Sequence, residues 1–176
     1  MIKKFLLLCI LIFISGCDRK DDVGERNWRA KVKLGDYHFS NKNIDMALKY
    51  WIESLDFKKD PLTYEKIVTS FIVKKEFNEG KKYAISGLTY FKNNDNLLFN
   101  LGLIEFILEE YDESMEILDR LLERNKYYPE AHYLKGLIYE KKGQIEKAKK
   151  EFIEEVNINP GSKKAWKKIK EMKNEN

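Results

Sequence analysis

The sequence has few of the residues from which most metal and catalytic sites are built. Its 176 residues include two cysteines, two histidines and three prolines. Two cysteines cannot form the clusters that hold structural zinc. Two histidines, His38 and His132, offer little for general acid–base catalysis. The sequence also has no glycine-rich phosphate loop. We therefore expect no enzyme activity, no catalytic residues, no metal site and no cofactor.

Arginine is scarce and the charge is nearly balanced. The chain has 33 basic and 29 acidic side chains, for a formal net charge of +4, and only five of the basic residues are arginine. The planar fork that reads phosphates and base edges is therefore rare, and we expect no nucleic acid partner. Apolar residues make up 43% of the chain, which is enough to build a core and excludes wholesale disorder.

The first segment has the pattern of an export signal. Lys3 and Lys4 precede an apolar run, Phe5–Ile14, which is too short to span a bilayer comfortably, since that takes about 20 residues. The run leads into Ile-Ser-Gly-Cys, and this ending resembles a bacterial lipobox, in which the chain is cut before the cysteine and its thiol is acylated. The resemblance predicts removal of residues 1–16 and a lipid on Cys17. The alternative is an ordinary signal peptide that happens to carry a cysteine there.

A lipid on Cys17 would also explain the cysteine count. Cys9 lies inside the discarded run, so the exported chain would keep one thiol and no internal disulfide. Two or three acyl chains, at about 0.8 kcal/mol per buried methylene, anchor a protein stably without crossing the membrane. We therefore expect a protein on the bacterial cell membrane or outer membrane, facing the periplasm. Residues 17–25 are expected to be a flexible polar tether.

The rest of the sequence repeats itself at intervals of 33 or 34 residues. Four columns share this spacing: Gly35, Val68, Gly102 and Gly136; Ala47, Gly80, Ser114 and Ala148; Trp51, Ala84, Leu118 and Phe152; Ile44, Phe77, Tyr111 and Ile145. The first two columns hold small residues apart from Val68, which lets two helices approach closely. Helical spacing of apolar residues, with prolines near the boundaries, predicts two helices per unit. The units are 28–60, 61–94, 95–128 and 129–162.

These units resemble the tetratricopeptide repeat. The match is closest between Pro129 and Pro160, where the residues that fit the family pattern are Ala131, His132, Tyr133, Gly136, Tyr139, Gly143, Ala148 and Phe152. The resemblance implies an all-α, right-handed superhelical solenoid of four repeats over residues 26–162. Residues 163–176 are expected to form a basic capping helix and tail, because the last repeat would otherwise expose its inner face. The lysines of this helix are expected to be solvated or to touch anionic lipid headgroups.

The resemblance also implies a ligand groove on the concave wall, which the first helix of each unit builds in this family. The inner-face positions are Arg29, Val32, Asp36, Phe39 and Ser40; Leu62, Glu65, Thr69, Ile72 and Val73; Asn96, Phe99, Leu103, Phe106 and Ile107; Glu130, Tyr133, Leu137, Glu140 and Lys141. The predicted partner-binding groove is the apolar middle of this wall: Ile72, Val73, Phe99, Leu103, Phe106, Ile107, Tyr133 and Leu137. The Lys, Asn and Arg clamp that some members use for a terminal carboxylate does not line up here.

An apolar wall of this size is typical of a binding surface. We therefore expect a non-catalytic adaptor that binds an apolar or amphipathic peptide or helix of another envelope protein, within an envelope assembly complex. Two alternatives stay open. The wall could form a homo-oligomer interface, or its residues could belong to the chain's own core or lie beneath the tether. The acidic pairs Glu109-Glu110 and Glu154-Glu155 are expected on solvated helix faces.

Overall fold

The computed structural model describes residues 23–174, which form nine α-helices and no β-strand within that range. The helices are α1 (23–40), α2 (Ile44–Ser54), α3 (Pro61–Lys74), α4 (Phe77–Tyr90), α5 (Asp95–Ile107), α6 (Tyr111–Arg124), α7 (Ala131–Lys141), α8 (Ile145–Ile158) and α9 (Lys163–Asn174). The prediction of an all-α fold of stacked helix-turn-helix units is confirmed. The predicted signal segment and Cys17 lie outside the described residues.

The same tight turn joins the two helices of each pair. Lys42, Lys75, Glu109 and Gly143 have φ values of 60°, 61°, 66° and 70°, in the left-handed region that favours glycine. In the second turn Lys75 donates its backbone N–H to the Ile72 carbonyl at 3.0 Å, and the next N–H reaches the Phe71 carbonyl at 2.9 Å. This hydrogen-bond pair closes a helix C-terminus. It recurs in all four turns, although only the last of them has glycine.

The chain divides into two compact units, and the division falls inside α3. The first unit comprises the described residues up to Ser70, and its core lies where α1 meets α2. A Cβ atom on Gly35 would lie 2.4 Å from the indole of Trp51, and Trp51 is buried. Trp51 also donates its Nε1–H to Asp36 Oδ1 at 3.0 Å. Glycine is therefore needed at position 35, as the column of small residues predicts.

The second unit, from Phe71 onward, repeats this packing twice. A Cβ on Gly136 would lie 2.5 Å from the ring of Phe152, where α7 crosses α8. A Cβ on Gly102 would lie 3.2 Å from Leu118, where α5 crosses α6. Ser114 fits its small-residue column for a further reason, because its hydroxyl donates to the Gly102 carbonyl at 2.7 Å.

The last helix, α9, closes the apolar face of α8. Its buried residues are Ala165, Ile169 and Met172, and they join one cluster with Ala148, Phe152 and Val156. Such a helix protects the apolar face that a terminal repeat would otherwise expose to water. Within residues 23–174, no helix combines the length and the apolarity that crossing a bilayer requires.

Candidate functional site

The structure divides the eight predicted groove residues into two groups by exposure. Val73 at the end of α3 is 61% exposed, and Ile107 at the end of α5 is 37% exposed. The other six are half-buried: Ile72, Phe99, Leu103, Phe106, Tyr133 and Leu137. The predicted wall therefore offers a partner fewer free apolar side chains than its sequence implies.

Most of the half-buried groove residues pack inside the second unit. Phe99, Leu103 and Phe106 of α5 contact a buried cluster that includes Leu118 and Leu134. Leu137 of α7 contacts this cluster and also the one beneath α9. Part of the apolar area of these side chains thus stabilises the unit itself, which is one of the alternatives that the sequence leaves open.

A small recess opens next to Phe99. It has a volume of about 340 Å³ and is lined by Asn96, Phe99, Tyr128, Pro129 and Glu130. Tyr128 donates its hydroxyl to Asn96 Oδ1 at 2.8 Å, and its ring centroid lies 5.2 Å from that of Phe99. Three of the five residues are inner-face positions of the repeat pattern, so the pattern predicts the direction of these side chains.

A larger recess, the α1–α3 recess, lies within the first unit. It measures about 450 Å³, and its lining residues are Asp36, Phe39, Trp51, Leu62, Glu65, Lys66, Thr69 and Ser70. Phe39 is 49% exposed and Leu62 is 56% exposed, whereas Trp51 is buried. The rings of Phe39 and Trp51 lie 5.5 Å apart. The recess is therefore an accessible apolar site.

The ionic groups of the α1–α3 recess are paired with each other. Asp36 Oδ1 accepts hydrogen bonds from Lys66 Nζ at 2.6 Å and from the Trp51 indole at 3.0 Å. Lys66 Nζ also lies 5.6 Å from the centre of the Trp51 ring. Because Asp36 balances the charge of Lys66, the recess favours apolar groups over a free carboxylate.

Sequence reasoning named Asp36, Phe39 and Leu62 as inner-face positions but did not include them in the predicted groove. The predicted groove instead follows the longer apolar stretch, most of which lies on α5 and α7. The aromatic recess residue that the list of inner-face positions does not contain is Trp51. It belongs to α2, and its position depends on the space left by Gly35. The pairing of Gly35 with Trp51 in the repeat register was the signal that could have found this recess.

A network of charged side chains joins α6, α7 and α8. His132 Nδ1 lies 2.7 Å from Glu151 Oε2, and Lys135 Nζ bridges Asp119 at 2.7 Å and Glu151 at 3.2 Å. The hydrogen bond that the His132 ring donates to the Glu151 carboxylate raises the pKa of His132 above 6.5, although burial acts in the opposite direction. Burial acts to raise the pKa of Glu151, but His132 and Lys135 outweigh it and lower that pKa. This network gives His132 a structural role, in packing and in charge pairing with Glu151.

Glu155 contradicts the expectation of a solvated acidic face, because its side chain is fully buried. Its Oε2 accepts the backbone N–H of Glu130 at 3.0 Å, and Glu130 has a φ of 68° just before α7. Burial raises the pKa of Glu155, and hydrogen bonds from the backbone of Tyr133 and Glu130 oppose that shift. The first turn of α7 has free N–H groups that need an acceptor, which explains why Glu155 faces inward.

The described residues show no arrangement suited to metal chemistry. Between residues 23 and 174, no group of three His, Cys, Asp or Glu side chains could hold a metal ion. The side chains that line the two recesses offer apolar surface and a few hydrogen-bonding groups.

The comparison with known families agrees with the repeat register. Residues 95–128 and 129–161 match the family model described as Tetratricopeptide repeat. Residues 95–161 are therefore similar to two consecutive tetratricopeptide repeats.

Known proteins share this fold at low identity. Anaphase-promoting complex subunit CDC16 of Saccharomyces cerevisiae is 24% identical over 143 residues, which cover 77% of this chain but only 17% of CDC16. The crystal structure of MamA protein superposes with a TM-score of 0.77 at 19% identity, covering 84% of this chain and 81% of MamA. YrrB, described as a TPR protein with an unusual peptide-binding site, gives a TM-score of 0.66 at 20% identity, covering 81% of this chain and 74% of YrrB. These likenesses show the fold.

Proposed function

We propose that this protein is a non-catalytic adaptor that binds an apolar or amphipathic peptide or helix of another protein on the inner face of its repeats. The α1–α3 recess carries the proposal. There, two half-exposed apolar side chains, Phe39 and Leu62, stand beside a buried indole in a space of about 450 Å³. A space of this size falls within the range of ligand pockets. It is large enough for one or two apolar side chains of a peptide.

The position of the recess supports this ligand class. Five of its lining residues are inner-face positions of the repeat pattern: Asp36, Phe39, Leu62, Glu65 and Thr69. The peptide-binding site described for YrrB lies on a protein of similar fold, which supports a peptide as the ligand. The pairing of Lys66 with Asp36 supports an apolar side chain of the peptide over its terminal carboxylate.

The available surface sets the expected affinity. Phe39 and Leu62 are already about half-buried, so burying the rest of both contributes about 1.5–3 kcal/mol. An apolar peptide side chain that fills the recess contributes about as much again, and the total is similar to the lower range of association costs, about 4 kcal/mol and above. We therefore expect weak, reversible binding, in the micromolar range or weaker.

We further propose that the adaptor is exported and held on a bacterial membrane by a lipid on Cys17, so that its partner is another envelope protein. The order of lysines, apolar run, small residues and cysteine in residues 3–17 supports this. The test is the intact mass of the chain purified from bacterial membranes. We expect loss of residues 1–16 and a diacylglyceryl adduct on Cys17. An unmodified Cys17 thiol in the purified chain would refute the anchor.

The groove is tested by single charge insertions at exposed positions. Leu62→Asp should reduce capture of partners from a bacterial membrane extract by about tenfold or more, because the charge enters the apolar recess. Ile85→Asp on α4 is the matched control, since Ile85 is also exposed, at 47%, but is not an inner-face position. Circular dichroism checks that both variants keep their helix content. Equal capture by Leu62→Asp and the wild type would rule out the recess as the site.

Self-association is the alternative function, and the same variants separate it from partner binding. If a second copy covers the recess, light scattering of the wild type shows a stable dimer that Leu62→Asp converts to monomer. A monomeric wild type that loses its partners in Leu62→Asp supports the adaptor.

A further inference from the structure

The net charge of the chain is concentrated at its C-terminal end. Residues 163–176 contain six lysines and two glutamates, so they carry a net charge of +4, which equals that of the whole chain. The preceding residues hold 27 basic and 27 acidic side chains and are therefore neutral as a group. Such a local excess attracts anionic partners to one end of the protein.

The lysines of α9 differ in their surroundings. Lys164 Nζ pairs with Glu130 at 2.8 Å, and Lys168 Nζ pairs with Glu140 at 2.8 Å, so both face the neighbouring helix α7 and its first turn. Lys163, Lys167 and Lys170 recur at helical spacing on the opposite side from the buried Ala165, Ile169 and Met172. We call these three lysines, together with Trp166, the outer face of α9.

Few acidic side chains neutralise the lysines of the outer face. Lys167 is paired only loosely with Glu171, at 3.7 Å, and its side chain is 78% exposed. Lys163 and Lys170 are exposed, and no ion pair is seen for either among the described residues. The outer face is therefore free to meet an external anionic surface.

Trp166 gives the outer face an apolar part. It is 52% exposed, and its Nε1–H donates to the Pro160 carbonyl at 3.0 Å. Its polar edge is thus satisfied within the protein while half of the ring surface contacts water. Tryptophan flanked by lysines is the combination found at the headgroup level of membranes.

We infer that the outer face of α9 docks on anionic phospholipid headgroups at a membrane surface. The outer face combines positive charge with an exposed indole and lines neither recess. This combination favours a lipid surface over a folded partner. Each lysine near an anionic leaflet raises the concentration of the protein at the membrane surface about fivefold, so three lysines raise it about a hundredfold. The inference does not depend on acylation of Cys17 or on the peptide-binding proposal.

Lysine acetylation read by mass spectrometry tests the inference on the full chain, one lysine at a time. The probe is a vesicle of phosphatidylcholine with about one third phosphatidylglycerol, compared with pure phosphatidylcholine. We expect anionic vesicles to slow acetylation of Lys163, Lys167 and Lys170 about fivefold or more. The exposed Lys49 and Lys92 should be unchanged. About 0.5 M salt should abolish the protection, because it shortens the range of the interaction.

A charge-matched pair of variants gives the second readout. K163E/K167E/K170E should lose about tenfold or more of its preference for anionic over neutral vesicles in flotation. K49E/K92E/K150E makes the same change in charge at other exposed positions and should keep that preference. Equal loss in both variants, or equal protection by neutral vesicles, would overturn the inference. Protection by polyglutamate but not by anionic vesicles would also overturn it and would indicate an acidic protein instead.

Discussion

Replacement of Gly136 by alanine probes the packing that defines each repeat. A Cβ at this position would lie 2.5 Å from Phe152 Cε1 and 2.6 Å from Cδ1. These atoms belong to a stiff ring that is fully buried, so the ring or the helix must move. By contrast, a Cβ on Gly102 would lie 3.2 Å from Leu118, where the contact atoms belong to a flexible side chain.

The two alanine substitutions should therefore differ in sign. Alanine in a helix interior gains about 1 kcal/mol over glycine, whereas overpacking of a core costs about 1–3 kcal/mol. We expect Gly136→Ala to lower the free energy of unfolding by up to about 2 kcal/mol. Gly102→Ala should change it little or raise it by up to about 1 kcal/mol.

Urea denaturation followed by circular dichroism measures both effects. Phe152→Leu should rescue much of the loss in Gly136→Ala, because a smaller side chain leaves room for the new methyl group. The double-mutant cycle should then show a coupling free energy of about 1 kcal/mol. If Gly136→Ala proves at least as stable as Gly102→Ala, or if the two changes are additive, the steric argument fails.

Three further predictions concern polar groups in residues 71–174. Lys81→Met should cost about 3 kcal/mol, because the buried Glu105 carboxylate loses its partner at 2.8 Å, and adding Glu105→Leu should restore most of that loss in urea denaturation. Ser114→Ala should cost about 1 kcal/mol by the same assay, and a neutral result would contradict the assigned hydrogen bond to Gly102. The raised pKa of Glu155 means that its contribution to stability is complete below pH 4.5 and is lost as pH rises through the folded-state pKa. The stability of Glu155→Gln relative to wild type should therefore increase as the pH rises above 4.5, until the folded-state pKa of Glu155 is passed, and a difference that does not change with pH would refute the buried charge.

Much of the helical fold could be predicted from the sequence because the repeats constrain each other. The column of Gly35, Gly102 and Gly136 identifies the helix crossings, and the structure shows that a Cβ at each would meet the facing side chain. The stripe of Ala165, Ile169 and Met172 likewise predicts that α9 buries one face. These features depend on period and residue size, which the sequence shows directly.

The exposure of the candidate site could not be predicted in the same way. The repeat pattern makes both Phe99 and Leu62 inner-face residues of their units, but Phe99 is half-buried and Leu62 is 56% exposed. Exposure depends on how far neighbouring helices approach, and that distance follows from many contacts at once. Glu155 shows the same limit. It is buried because its carboxylate accepts the backbone N–H of Glu130 at the start of α7, and the sequence pattern does not reveal that contact.

The left-handed backbone conformations of Lys42, Lys75 and Glu109 mean that the stability of the protein could be increased at these turns. Each non-glycine residue there carries about 1 kcal/mol of conformational strain, and all three side chains are exposed. Glycine at these positions would relieve the strain without disturbing any buried atom. The protein therefore tolerates backbone strain at three turns. Replacing these three residues by glycine should give a more stable variant for crystallisation and spectroscopy.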